Sequence, residues 1–197
     1  MLVPTTATIL MMCVSSLLHT THGQVCQPPQ SESVYFLTST LEDLYVATDY
    51  SQGKTLVVFG DGPQGDTWFL VDTVSRNTYY SNPEDGCVYA QFSPEQNELV
   101  SQIWSQCLPS DAELERSGDV DFYHMERPGF DWLVGMKPVP DTDYFYKHFS
   151  RINSYGVYKV PDESSFGLVY QYSVGLSDPS VFDRDLSACV EGPHNMF

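Results

Sequence analysis

The sequence predicts a mostly β fold, an antiparallel sheet with one or two short helices, and three observations predict it. From Ser33 onward, short runs rich in Val, Tyr and Phe are separated by clusters of Gly, Pro, Asn and Asp, the residue types that strands and turns respectively select. One stretch, SPEQNELVSQIWSQC from Ser93, spaces its apolar residues as a helix does instead. The segment FGLVYQYSVGL, Phe166 to Leu176, alternates with a period of two, as a strand lying between two different environments must.

Taken in order, VYFL, LYVATDY and KTLVVF read as strands, and GDGPQGD (Gly60 to Asp66) reads as a turn. TWFLVD and NTYYSN flank TVSR, and PEDG leads into CVYAQF. These connections are too short for parallel crossovers, so neighbouring strands should pair antiparallel. In the helical stretch Ser93 is placed to cap, Pro94 takes the first helical position and Gln96 stands three residues after the cap. The expected helix runs from Pro94 to Gln106, with Leu99, Val100, Ile103, Trp104 and Cys107 as its packing stripe. Strand character resumes in DVDFYHME, DWLVGMKPV, DYFYKHFSRI and YGVYKV. In the last long strand one row holds Phe166, Leu168, Tyr170, Tyr172, Val174 and Leu176, and the other holds Gly167, Val169, Gln171, Ser173 and Gly175. An aromatic row of this kind suits either an ordinary sandwich core or the wall of a ligand pocket; pattern alone favours the core. Asp178-Pro179 then stops the strand, with Asp178 positioned to cap a short turn.

The apolar run from Ile9 to Leu18, followed by small polar residues, is too short to span a bilayer and stands where a secretory signal belongs. Residues 1–23 are read as that signal, cleaved after Gly23, and residues 24–197 as a single domain. No Lys, Arg, Asp or Glu precedes Glu32, so the formal charge of −17 falls on the mature chain. Such a chain repels nucleic acid and anionic headgroups. Cys26, Cys87, Cys107 and Cys189 remain after cleavage, an even count that predicts two disulfides and lacks zinc-type spacing. No second long apolar segment follows, so no membrane span is expected. None of Asn77, Asn82, Asn97, Asn153 and Asn195 sits in a glycosylation sequon.

The sequence offers little for catalysis. It lacks G-x-S-x-G, and oxidised cysteines cannot serve as nucleophiles. His124, His148 and His194 show no zinc-site spacing. Paired carboxylates are expected by chance in so acidic a chain, and GDGPQGD lacks the lysine of a phosphate loop. DTD and DRD could donate oxygens to calcium, but no twelve-residue calcium loop is present. The chain is read as non-enzymatic.

Several stretches together resemble a known family. GLSDPSVFDRDLSAC is similar to the C-terminal signature of the ependymin and ependymin-related proteins, in which an amphipathic strand runs into D-P-S-x-F and then a cysteine. VCQPPQ (Val25 to Gln30) resembles the family's mature N-terminal cysteine, and YYSNPEDGC, ending at Cys87, its mid-chain cysteine. LPSDAEL (Leu108 to Leu114) resembles the I-P-x-x-A/S element, and WLVGMKPV a strand that usually ends in Cys-x-Pro-Val. The resemblance spans nearly all of the mature chain through motifs that are individually weak. It implies an antiparallel sheet folded as a half-barrel, like bacterial lipoprotein carriers, with a deep hydrophobic pocket. It also implies binding of lipids or other hydrophobic molecules, homodimers and calcium association, with metal ligands unassigned. It implies that Cys87 and Cys189 are bridged. Cys26, whose usual partner is missing near Lys137, would then bond Cys107.

The resulting expectation is a secreted, extracellular carrier of a hydrophobic ligand; the missing sequons weigh against a lysosomal destination. Phe166, Leu168, Tyr170, Tyr172, Val174 and Leu176 are expected to form one pocket wall, with Trp68, Phe122 and Trp132 elsewhere in it. The alternative is an acidic, calcium-associated extracellular-matrix or cell-adhesion protein whose pocket is filled by its own side chains. A cavity of roughly several hundred Å³ lined by the Phe166–Leu176 face would favour the carrier, and a filled core the matrix protein.

Overall fold

The computed structural model describes residues 24–192 apart from 39, 61, 128–129 and 155–165. The expected signal (1–23), the strand expected at YGVYKV and His194 lie outside the described residues. Five hairpins build the first half: β1 (Gln30–Leu37), β2 (Glu42–Asp49), β3 (Lys54–Phe59), β4 (Trp68–Asp72), β5 (Asn77–Asn82) and β6 (Gly86–Gln91) pair antiparallel in that order. Helix α1 (Pro94–Ile103) follows. Then β7 (Glu113–Arg116), β8 (Asp121–Arg127), β9 (Phe130–Pro138), β10 (Phe145–Ser154) and β11 (Phe166–Val174) form a second antiparallel meander. β11 pairs with β1, so both meanders belong to one sheet. Among the described residues the fold is mostly β: a single open, mixed sheet of twelve strands with one short α-helix and a 3-10 turn.

The sheet is not wholly antiparallel. A short strand β12 (Val190–Glu191) runs parallel to β6 at one edge. The rule of short connections misses it because the chain first crosses the sheet face before returning to that edge. Cys189, bonded to Cys87 in β6, then lays Val190 and Glu191 alongside. The other disulfide joins Cys26 to Cys107. Both are the pairs that the resemblance implied.

Because β6 and β7 stand near opposite edges, α1 and the segment after it must cross one face of the sheet, here the inner face. The helix starts on a capping box: Ser93 Oγ accepts from Gln96 N at 3.1 Å, and Gln96 Oε1 accepts from Ser93 N at 2.9 Å. It ends at Ile103, three residues earlier than the periodicity predicts. The cause is tertiary. Gln106 O accepts from Gln27 N, Leu108 N donates to Val25 O, and Cys107 is bridged to Cys26, so this stretch is drawn into an extended pairing. Val100 packs with Val71 and Phe92, with Phe69 and Trp104 against them. The Leu99 side chain lies outside the described residues.

A second inner-face core lies under the helix end. Trp132, Val134 and Met136 of β9 and Tyr123 and Met125 of β8 pack with Val25 and Leu108. Among the described residues, the segment that covers the outer face is the C-terminal one, over the first half of the sheet. There Val181 and Phe182, on the 3-10 turn Pro179–Phe182, bury against Tyr45, Ala47, Leu56, Val58, Trp68 and Leu70. Asp178 caps that turn, accepting from Ser180 N at 2.9 Å.

One buried charge holds the β2–β3 turn. Asp49 is fully buried and accepts from Ser51 N (2.9 Å), Ser51 Oγ (2.5 Å) and Gln52 N (3.2 Å) at one oxygen. Its other oxygen accepts from Gln30 Nε2 (2.7 Å) and Gln52 Nε2 (2.8 Å). Burial alone would raise its pKa, but the hydrogen bonds from Ser51, Gln30 and Gln52 together hold it below the ordinary value of 3.8. Asp49→Asn is therefore expected to lose about 2–3 kcal/mol at pH 7. The folded pKa is depressed, so the stabilisation is present above pH 3.8 and lost as pH falls through the folded value. Urea midpoints of both proteins should converge on acidification; a constant gap down to pH 2 would contradict this role for the charge.

Candidate ligand-binding site

A half-enclosed cavity of about 220 Å³ lies between the end of α1 and the middle of the inner face. Tyr35 and Leu37 from β1, Leu44 and Val46 from β2, and Val57 from β3 make one wall. Trp132 from β9, Ser150 from β10 and Gly167 from β11 make the other. Ile103 and Trp104, at the end of the helix, form the roof.

Strand pairing explains why these residues meet. Tyr35 stands opposite Leu44, Val46 opposite Val57 and Ser150 opposite Gly167, and directly opposed residues share a face. Gly167 leaves the space that its neighbours enclose. A Cβ there would meet Tyr35 Cδ1 at 3.3 Å and Leu37 Cδ2 at 3.7 Å.

Behind the lining residue Tyr35 lies a group of buried polar side chains. Gln27, buried, donates to the Tyr50 hydroxyl at 2.6 Å. Burial pushes the Tyr35 phenol up to about 12, a hydrogen bond with Ser33 opposing, and burial likewise raises Tyr50 and takes Tyr172 to about 12. These phenols stay neutral donors throughout the physiological range.

Among the described residues, one cation lines the cavity. Lys147 is buried, and its Nζ donates to Ile103 O at 2.7 Å. The same nitrogen lies 5.1 Å from the Trp132 ring centre and 5.9 Å from that of Trp104, within cation–π range. Burial lowers its pKa from 10.5 to about 7. Trp132 Nε1 donates to Ser150 Oγ at 3.0 Å, which leaves the hydroxyl proton of Ser150 directed elsewhere.

No family model and no curated protein matches the chain.

The residues expected to form the pocket are spread over both faces. Trp132 is at the cavity. Leu168, Tyr170 and Val174 are exposed, and Leu176 packs into the outer-face core with Trp68. Phe122 meets Phe149 edge-on with ring centres 5.8 Å apart, and Arg116 lies over its ring. Tyr172 is half-buried and stacks on Tyr146 at 4.6 Å. The Phe166 side chain lies outside the described residues. β11 thus offers the cavity its small row, through Gly167, rather than its aromatic one.

A bulge explains part of this. Pairing passes from Tyr35 with Val169 to Val34 with Gln171, so Tyr170 is an extra residue and the alternation changes phase there. No unbroken aromatic wall can run from Phe166 to Leu176. β10 carries a similar break, at His148, between Lys147 paired with Met136 and Phe149 paired with Gly135.

Lys147 went unrecognised in the sequence, although a signal existed. It occupies the same row as Phe145, which packs into the inner core, so a charge interrupts an apolar row. Among the described residues, no group of three or more His, Cys, Asp or Glu side chains is arranged to hold a metal ion. No helix there is long and apolar enough to cross a membrane.

Proposed function

We propose that the chain is a secreted, non-enzymatic carrier that binds a lipid or another hydrophobic molecule in the cavity beneath α1. The observation that carries this reading is the cavity itself, with its aliphatic and aromatic lining. Six neighbouring strands, β3-β2-β1-β11-β10-β9, reach one space of about 220 Å³. Laid flat at ~4.8 Å spacing they would spread over about 24 Å, so convergence on so small a volume calls for a sheet curled around it. That supports the half-barrel reading and, with it, the resemblance to ependymin-related proteins. The two disulfides support an oxidising, extracellular setting.

Gly167 supplies the test. Gly167→Leu places a side chain into the lining, pressing first on Tyr35 and Leu37. It is expected to cost about 1–3 kcal/mol of stability and to weaken binding of a fluorescent apolar dye at least tenfold. The supporting measurement is native mass spectrometry of the wild-type protein for co-purified hydrophobic molecules. Undiminished dye binding by a folded Gly167→Leu protein would place the binding site elsewhere.

A further inference from the structure

We propose that the cavity selects a monocarboxylate amphiphile, a fatty-acid-like molecule whose carboxylate is held by Lys147 and Ser150 while its chain lies against Tyr35, Val46 and Val57. The inference rests on the carrier reading above and names the ligand class for that same cavity.

The argument starts from the location of a charge. The chain has 26 acidic and 9 basic residues, so a lysine on its surface would readily find carboxylates. Lys147 is instead buried, and neither the cavity lining nor any ion pair among the described residues gives it a carboxylate partner. An ammonium has three donors. The carbonyl of Ile103 takes one, and two tryptophan faces lie near the charge without accepting a conventional hydrogen bond. A buried charge lacking a counter-ion is costly, and burial accordingly depresses this amine's proton affinity. A ligand carboxylate entering the cavity supplies the missing charge and restores the ammonium.

Ser150 provides the second contact. Its oxygen accepts from the Trp132 indole, so its own proton is free to donate to the second carboxylate oxygen. One cation with the Ser150 hydroxyl beside it matches one monovalent, two-oxygen headgroup. A phosphate dianion would leave one of its two charges without a cation, since Lys147 is the one cation among the described lining residues. The rest of the wall is aliphatic or aromatic and suits an alkyl chain.

Decanoate and 1-decanol share a ten-carbon chain and differ in the headgroup. Titrated into the full mature protein at pH 6.5, decanoate is expected to bind about 10–100-fold more tightly than 1-decanol. Lys147→Met should bind 1-decanol at least as well as the wild type while losing the preference for the acid. Ser150→Ala should reduce the preference to a few-fold, and it tests the assignment should Lys147→Met not fold. Equal affinities in the wild type, or a preference that survives both substitutions, would overturn the headgroup assignment and leave the carrier reading standing. Binding of neither compound would overturn the carrier reading and this assignment with it.

Discussion

A Cys87→Ser/Cys189→Ser protein is expected to be about 4–5 kcal/mol less stable than the wild type, yet to keep its cavity. The first part follows from loop length. The bridge closes 102 residues, and the chain-entropy model assigns a loop of that size about 4–5 kcal/mol. Packing adds to the dependence on this bond. The segment leading to Cys189 contributes Val181 and Phe182 to the outer core, and Leu176 and Leu186 pack against it. Arg184 donates to Pro63 O at 2.6 Å and lies over the Trp68 ring at 5.5 Å, so the segment also ties down the β3–β4 loop. Without the bond that cover is held by side chains alone.

The second part follows from topology. The tail covers the face opposite the cavity, so the folded double variant should bind an apolar dye within about threefold of the wild type, as independent sites behave. Urea unfolding checks the stability, and dye titration at low temperature checks the site. Loss of dye binding in a protein that remains folded would show the tail acting on the cavity rather than on the outer face.

The same tail shows how far local pattern reaches. Asp178 and Pro179 announce a capped turn, and the structure has one at Pro179–Phe182. The strands from VYFL to CVYAQF are also legible, because each has a β-rich run and its own turn residues. Gly53, for example, takes φ 64° in the β2–β3 turn, a conformation that costs glycine little. Two strands were not legible. β7, Glu113–Arg116, lies in a run of charges with all four residues exposed, and β12 is two residues long and exposed. Neither has an apolar face to leave a trace, and each is paired only at a sheet edge.

The site was less legible than the fold for a related reason. Period-two alternation assigns residues to faces only while the register is unbroken, and the extra residues Tyr170 and His148 interrupt it in β11 and β10. Alternation also cannot say which face the helix will cover. A large aromatic row invites the reading of a wall, whereas an empty space forms where side chains are small, as at Gly167. Of the residues named from the sequence, Trp132 is buried and lines the cavity, on a strand that keeps its alternation against β8 throughout.

Replacing Lys147 by Met should stabilise the empty protein, by about 2–4 kcal/mol near pH 6–7, with a gain that fades toward pH 10.5. The folded pKa of Lys147 is about 7 and its ordinary value is 10.5. Between these values the unfolded chain holds a proton that the folded chain has released. Stability of the wild type therefore rises with pH across that window, and below about pH 7 the full cost of burying the charge is present. Met keeps an unbranched stem of similar size and has no charge to desolvate. It forfeits the hydrogen bond to Ile103 O, worth about 1–1.5 kcal/mol, less than the cost removed. The measurement is the difference in urea midpoint between Lys147→Met and wild type at pH 6, 7.5 and 9, which cancels titrations common to both. A difference that shrinks with pH supports a lysine buried without a partner. A variant less stable than the wild type at pH 6 would mean that an anion already pairs with Lys147, and mass spectrometry of that wild-type sample would identify it.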